Sequence, residues 1–351
     1  MQVDWAIVGG LLAGALAGAG AQFGRLCTMS AIEDALVGRD YRGAKAWLLA
    51  LAVAACTTQA GMFFGFIDLR QSSYLARELH LLGTISGGVL FGLGMTLAGT
   101  CSFGLLVRAG AGDLRAVVTA MLVGMFAFAV TSGVLAPIRV AMLKIGVVEL
   151  TPSLDALLVN TFGPSGQFAL VCVAVLIVAS AVLDRRLRRR PRLLFGSSCL
   201  GLAIALGWWA TTRAVDAMIL DRPESLSFVA AVGRALLQFM VEPFRNIGFG
   251  ISAVCGVVLA SLSVTAWRCD FRWDAFDDAK EMRRHLFGAA LMGIGGVLAH
   301  GCTIGQGLSA ASALAVSSPI FIVAVVIGAR IGLWHLIDGG SLWRLGLPPR
   351  A

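Results

Sequence analysis

Long apolar stretches separated by short polar segments dominate this sequence. A helix needs about 20 apolar residues to cross the hydrocarbon core of a bilayer, and nine stretches approach that length. The pattern therefore predicts an all-α polytopic membrane protein with about nine transmembrane helices. The predicted spans cover residues 5–24, 46–66, 81–98, 116–135, 165–183, 193–214, 247–267, 286–299 and 318–337.

Three shorter apolar pieces do not fit a simple series of spans. Residues 102–109 and 303–316 follow the third and eighth spans, and each is too short to cross a bilayer as a helix. We expect both to form short broken or re-entrant helices. Residues 226–240 are amphipathic, which favours a helix at the membrane interface or against the bundle.

Composition supports the membrane assignment and excludes several classes. Hydrophobic residues make up 58% of the 351 residues, charged residues only 14%, and the mean hydropathy is +0.84. A soluble domain carries about 25% charged residues, so a cytosolic enzyme, a nucleic-acid-binding module and a disordered chain are all excluded. No phosphate-binding loop of the GxxxxGK[ST] type occurs, which argues against direct coupling to ATP.

The basic residues indicate an orientation. The net charge is +8, and with the N-terminus outside, 20 of the 28 Lys and Arg residues fall in the cytoplasmic segments. Cytoplasmic loops are enriched in Lys and Arg, so we expect an outer N-terminus and a cytoplasmic C-terminus. The arginine-rich run at 184–192 lies between two spans, so we interpret it as a topological signal rather than a nucleic-acid patch.

The chain contains an internal repeat. Residues 87–104 read GGVLFGLGMTLAGTCSFG and residues 288–305 read GAALMGIGGVLAHGCTIG. The two copies belong to the third and eighth spans, which run in opposite directions in the nine-span topology. This arrangement predicts an inverted pseudo-two-fold repeat, a common plan for transporters whose site lies near the midplane. We therefore expect one integral membrane domain built from a first repeat (1–183), a basic cytoplasmic linker (184–192) and a second repeat (193–351).

Three cysteines lie in polar, glycine-containing breaks between helices: Cys27, Cys101 and Cys302. Irregular backbone at membrane depth is tolerated where it is buried in protein or lines a wet cavity. Helix N-termini favour anions and lower the pKa of a thiol. We expect two capping boxes, Ser30 with Glu33 and Thr303 with Gln306, to open the helices after two of the breaks. The residues expected to support the breaks are Thr28, Gly99, Thr100, Gly104, Gly301, Thr303 and Gly305.

Other interpretations of the cysteines remain open. Cys56, Cys172, Cys199 and Cys255 lie inside smooth spans, where a cysteine usually acts as a small buried hydrophobe. His300 and Cys302 could together ligate a soft metal, which would suit a transporter of another ion. No CxxC pair occurs, although a membrane thiol oxidoreductase, a scaffold or a sensor stays possible. We expect no catalytic residue, no cofactor and no resident metal.

The breaks carry a resemblance to a known family. Residues 18–34 (GAGAQFGRLCTMSAIED), 87–110 and 287–310 resemble the YeeE/YedE family of bacterial sulfur-transport membrane proteins. The resemblance implies an hourglass-shaped pseudo-symmetric fold in the inner membrane that takes up thiosulfate. It also implies that Cys27, Cys101 and Cys302 pass the ion along by S–H···S hydrogen bonds. A small cytoplasmic sulfur carrier of the TusA type is the partner it suggests, and some relatives are linked to selenium.

The chemistry of the residues agrees with that implication. Thiosulfate is a dianion with a soft outer sulfur, and burying it without partners would be very costly. Thiols are soft, weak donors, and a conducting site needs binding that is weak enough for release. Because the three cysteines occupy separate breaks, we expect the intact ion to pass without covalent attachment.

Overall fold

The computed structural model describes residues 4–69, 71–75, 78–149, 189–241, 247–276 and 278–338. Nearly every element in these ranges is a helix. A 3₁₀ turn at Ser73–Leu75 and a π-helical turn at Gly305–Ser309 complete the helical elements. The helices are α1 (Trp5–Gly24), α2 (Thr28–Leu36), α3 (Arg42–Phe63), α4 (Leu81–Ala98), α5 (Ser102–Gly110), α6 (Leu114–Thr131), α7 (Ala136–Lys144), α8 (Pro191–Asp216), α9 (Val229–Val241), α10 (Phe249–Trp267), α11 (Ala279–Leu298), α12 (Ala310–Ser312) and α13 (Ser317–Asp338).

Seven helical segments in the described part of the chain are long and apolar enough to cross a membrane. They correspond to seven of the nine predicted spans, and two of them continue through a break into α2 and α5. The polytopic, mostly helical class predicted from the sequence is therefore confirmed. The fifth predicted span, 165–183, lies outside the described residues.

The eighth predicted span needs a correction. It belongs to α11, which starts at Ala279, seven residues earlier than expected. The added turns carry Lys280, Glu281, Arg283 and Arg284, so α11 is not among the seven apolar segments. Its apolar part is short because the break at residues 299–304 ends it early.

Helices α4 and α11 pack against each other through glycine. A Cβ on Gly87 would lie 2.6 Å from the carbonyl oxygen of Gly295, and a Cβ on Gly94 would lie 2.6 Å from that of Gly288. The residue numbers run in opposite directions along the contact, so the two helices are antiparallel. Small residues let membrane helices approach this closely.

The remaining helices pack on this pair or form a second group around α1 and α8. Helix α13 packs on α4, and α6 packs on α11. Helix α1 lies between α8 and α10, and α3 covers the other side of α8. The amphipathic segment predicted at 226–240 forms α9, which packs against α6. A short antiparallel ribbon of β1 (Glu78–His80) and β2 (Val147–Glu149) lies at the start of α4.

Candidate functional site

The break after α4, the second along the chain, places Cys101 at the start of a helix. Helix α4 ends at Ala98, and Gly99 turns the chain with a left-handed φ of 70°. Cys101 is the N-cap of α5, and its sulfur accepts a hydrogen bond from the N–H of Gly104 at 3.4 Å. The side chain is 1% exposed. The thiol is therefore held at a fixed position inside the protein.

The break after α11 has the same local design. His300 adopts a left-handed φ of 59°, two residues before Cys302, as Gly99 does two residues before Cys101. The sulfur of Cys302 accepts a hydrogen bond from the N–H of Gly305 at 3.4 Å, and its side chain is fully buried. A histidine with positive φ is uncommon, so the turn geometry is maintained here at a conformational cost.

The predicted capping boxes are wrong. Helix α2 begins at Thr28 with Cys27 as its N-cap, so Ser30 lies inside the helix. The Gln306 amide donates to the Ser317 hydroxyl at 3.1 Å instead of returning to Thr303. In the α5 break the cysteine sulfur itself accepts the free backbone N–H that a capping oxygen would otherwise take, and Cys302 does the same at Gly305.

The break after α1 brings Cys27 close to Cys101. Arg25 has a left-handed φ of 53°, again two residues before the cysteine. The sulfur of Cys27 lies 3.7 Å from the Thr100 hydroxyl, and the Thr28 hydroxyl donates to the sulfur of Cys101 at 3.5 Å. These two contacts connect the first break directly to the second.

The third break also reaches this point. Thr303 lines the same cavity as Thr28, whose hydroxyl donates to the sulfur of Cys101. Cys302 accepts from the N–H of Gly305, and the Tyr74 hydroxyl lies beside Gly305. The structure thus brings together the predicted residues Cys27, Thr28, Thr100, Cys101 and Thr303. Gly99, Gly104, Gly301 and Gly305 shape the backbone around them.

The other cysteines lie elsewhere. Cys56 and Cys199 are in α3 and α8, and Cys255 and Cys269 are exposed. All seven cysteines of the described ranges are free thiols. Cys172 lies outside the described residues. Within those ranges no group of three or more His, Cys, Asp or Glu side chains could hold a metal ion.

Two residues next to Cys302 were missed by the sequence analysis. A Cβ on Gly305 would meet the Ser227 hydroxyl at 2.6 Å and the Tyr74 hydroxyl at 3.2 Å, so both hydroxyls lie beside this glycine. Burial raises the pKa of Tyr74, so its hydroxyl stays a neutral donor. Both residues lie in loops with no break motif or repeat partner, which left no sequence signal for them.

A basic cavity of about 540 Å³ opens at Cys27. It is bordered by the ends of α1 and α2, the start of α3 and residues 189–193 before and within α8. Asp40 hydrogen-bonds Arg42 at 2.7 Å, and this bond lowers the pKa of the Asp40 carboxyl. The arginines that line the cavity are Arg25, Arg42, Arg189, Arg190, Arg192 and Arg268. Two aspartates also line the cavity. The six arginines outnumber them, so the cavity is strongly positive, which suits anions.

Comparison with known proteins agrees with these features. A family model described as "Sulphur transport" matches residues 23–331. The thiosulfate transporter TsuA of Escherichia coli K12 is 27% identical over 93% of this chain and 94% of its own. The thiosulfate transporter TsuA of Spirochaeta thermophila is 28% identical over 93% of this chain and 98% of its own. The resemblance predicted from the three break motifs is confirmed, and the chain belongs to the YeeE/YedE sulphur transport family.

Proposed function

We propose that this protein takes up thiosulfate, or a closely related sulfur-containing anion, through a pathway lined by Cys27, Cys101 and Cys302. Membership of a transport family indicates a transport protein rather than an enzyme. The two relatives named above are thiosulfate transporters, which supports a sulfur anion as the substrate.

One observation carries the proposal: the first two breaks meet at the Cys101 thiol, and the third break borders the same cavity. Thr28 donates to the Cys101 sulfur from the first break, and Thr303 of the third break lines a cavity together with Thr28. A buried cluster of thiols and hydroxyls offers several weak donors to one anion. Cys27 opens to the basic cavity, whereas Cys101 and Cys302 are buried, and we propose a route in the order Cys302, Cys101, Cys27.

The test is growth on thiosulfate. We expect expression of this protein to restore growth of a bacterial strain that lacks its own thiosulfate uptake when thiosulfate is the only sulfur source. Growth on cysteine, which needs no thiosulfate transport, is the control for viability. Failure to restore growth by membrane-inserted protein would contradict the proposed function.

The orientation and symmetry form part of the proposal. We place the N-terminus outside and the C-terminus in the cytoplasm of the bacterial inner membrane, with nine spans in an inverted pseudo-two-fold repeat. The antiparallel glycine contact of α4 with α11 supports the repeat, as does the matched packing of α13 on α4 and α6 on α11. The waist of the hourglass would lie where the breaks meet.

The basic cavity at Cys27 would then be the cytoplasmic mouth. Its six arginines would attract the dianion out of the narrow waist. They also form a surface on which an acidic face of a TusA-type sulfur carrier could receive the anion. Membrane lipid would surround the apolar outer faces of the helices.

We propose that the ion passes intact. Covalent transfer of the outer sulfur would form a persulfide and leave sulfite behind. The thiols lie in separate breaks, and none of the described cysteines forms a disulfide. A favourable but weak hydrogen bond at each thiol allows both entry and exit.

Intact mass spectrometry and double labelling test this mechanism. Protein incubated with thiosulfate without reductant should gain no sulfur on Cys27, Cys101 or Cys302. Thiosulfate labelled differently on its two sulfurs should enter liposomes with both labels in equal amounts, because the S–S bond stays intact. A persulfide on Cys101 that forms and decays at the transport rate would overturn non-covalent passage.

A further inference from the structure

A hydroxyl residue directly follows the cysteine in the breaks after α4 and α11. Ser102 follows Cys101, and Thr303 follows Cys302, at equivalent positions of the two matching sequences. Ser102 is 2% exposed and Thr303 6% exposed. Neither hydroxyl has a hydrogen-bond partner of ordinary geometry among the residues that the structure describes.

An unpaired buried hydroxyl is unfavourable, because it has given up water without gaining a partner. Most buried hydroxyls in this bundle avoid that cost: Thr84, Ser197 and Thr211 each donate to a backbone carbonyl. Such unpaired groups in a native protein require an explanation. The position of these two, each beside a cysteine of the proposed pathway, indicates a ligand as the missing partner.

The chemistry of the anion fits two kinds of donor. Its outer sulfur is soft, whereas its three oxygens are hard acceptors that carry much of the negative charge. Hydroxyl groups make short, strong hydrogen bonds to charged oxygens, and thiols are the weaker, softer donors. Ser102 directly follows Cys101, and Thr303 lines the same cavity as Thr28, which donates to the Cys101 sulfur. Hydroxyls and a thiol are therefore close together at this point.

We propose that Ser102 and Thr303 bind the oxygen end of the anion while the neighbouring thiols hold its outer sulfur. This inference rests on the proposed function, since it assigns donors to the substrate of the same pathway. The protein would thus select anions that carry both a soft outer sulfur and an oxyanion end. Alternation of hydroxyl and thiol along the route keeps each end of the ion paired as it moves.

The variants Ser102→Ala and Thr303→Val, made singly in the full chain, test the proposal. We expect each to weaken thiosulfate uptake by about 10-fold or more, mainly through KM, because a hydrogen bond to a charged group is lost. We expect the melting temperature without thiosulfate to stay the same or rise, because an unpaired buried hydroxyl has been removed. Thr303→Ser, which keeps the hydroxyl, should retain most of the uptake.

Thr58→Val is the matched control. Its hydroxyl in α3 is also fully buried and unpaired within the described residues, but it does not follow a break cysteine. It should leave uptake unchanged. Normal uptake in both pathway variants, or a fall in melting temperature that parallels the fall in uptake, would overturn the proposal and indicate a structural role.

Anion-induced thermal stabilisation separates this inference from the proposed function. Purified wild-type protein is melted with thiosulfate, sulfite and sulfate. If thiosulfate stabilises the wild-type protein and this stabilisation is lost in the two variants, both the proposed function and the inference about the hydroxyls are supported. Stabilisation by sulfite or sulfate alone, lost in the variants, keeps the hydroxyl site but contradicts thiosulfate as the substrate. No hydroxyl-dependent stabilisation by any of the three would reject the inference.

Discussion

Replacing Cys101 with alanine is expected to abolish thiosulfate uptake while leaving a folded, membrane-inserted protein. The variant removes the thiol at which the first two breaks meet, together with its bonds from Thr28 and Gly104. The volume lost is small, so the bundle should tolerate it. Uptake of radiolabelled thiosulfate into liposomes, normalised to inserted protein, measures the effect.

Cys199→Ala provides the control. Cys199 is also a buried free thiol, but it lies in α8 against Gly20 of α1, away from the breaks. We expect nearly normal uptake from it, and the same from Cys172→Ala at the position predicted to lie within the fifth span. An equal loss in all three variants would indicate a general role of cysteine in folding and would contradict the pathway.

Replacing Gly87 with alanine is expected to destabilise the whole bundle. The new methyl group would lie 2.6 Å from the carbonyl oxygen of Gly295 and 2.7 Å from the N–H nitrogen of Ala299. Both are helix backbone atoms, which cannot move aside individually. Overpacking of this kind costs about 1–3 kcal/mol, and leucine at the same position should prevent folding. Thermal unfolding in detergent and the yield of monodisperse protein measure the loss.

Two further variants complete this experiment, one at the partner glycine on α11 and one at a glycine outside this contact. Gly295→Ala should cause a similar loss, because its methyl group would meet Gly87 and Phe91 at 2.6 Å. Gly248→Ala should be nearly neutral, since no atom of the residues that the structure describes lies within 4 Å of a Cβ there. Equal melting temperatures for Gly87→Ala and Gly248→Ala would show that α4 and α11 do not pack as described.

The positions of the long apolar helices could be predicted from the sequence, because that information is local and periodic. Apolar length located α1, α8 and α10 within a few residues, because a span must match the bilayer thickness. It failed at α11, where charged turns extend the helix before the apolar part begins. It also failed at the capping boxes: α2 begins before Ser30, and the Cys302 sulfur accepts the N–H of Gly305 where a capping oxygen was expected.

The candidate site could likewise be predicted only in part. The repeat and the glycine breaks predicted Cys101 and Cys302 as site residues from the sequence alone. Tyr74 and Ser227 were not identified, since only tertiary packing brings their loops to Gly305. The presence of Thr28 and Thr303 on one cavity likewise depends on how separate breaks fold together, which no spacing along the chain encodes.

The glycine contact between α4 and α11 also limits how the protein can work. Rigid-body rocking of one half against the other would have to slide two backbones that already touch at Gly87 and Gly94. We therefore expect passage through a fixed scaffold, opened by small side-chain movements, rather than an alternating-access cycle. A fixed passage offers no conformational cycle to which an ion gradient could be coupled.

A dianion entering a cell then moves against the inside-negative membrane potential. Each charge costs about 2.3 kcal/mol per 100 mV, so two charges oppose entry by roughly a thousandfold in concentration at that potential. Uptake through such a passage proceeds only while the cytoplasm consumes the ion as fast as it arrives. For the proposed function, the close α4–α11 contact would leave control of sulfur import to the enzymes that use the ion, while the membrane protein would set selectivity.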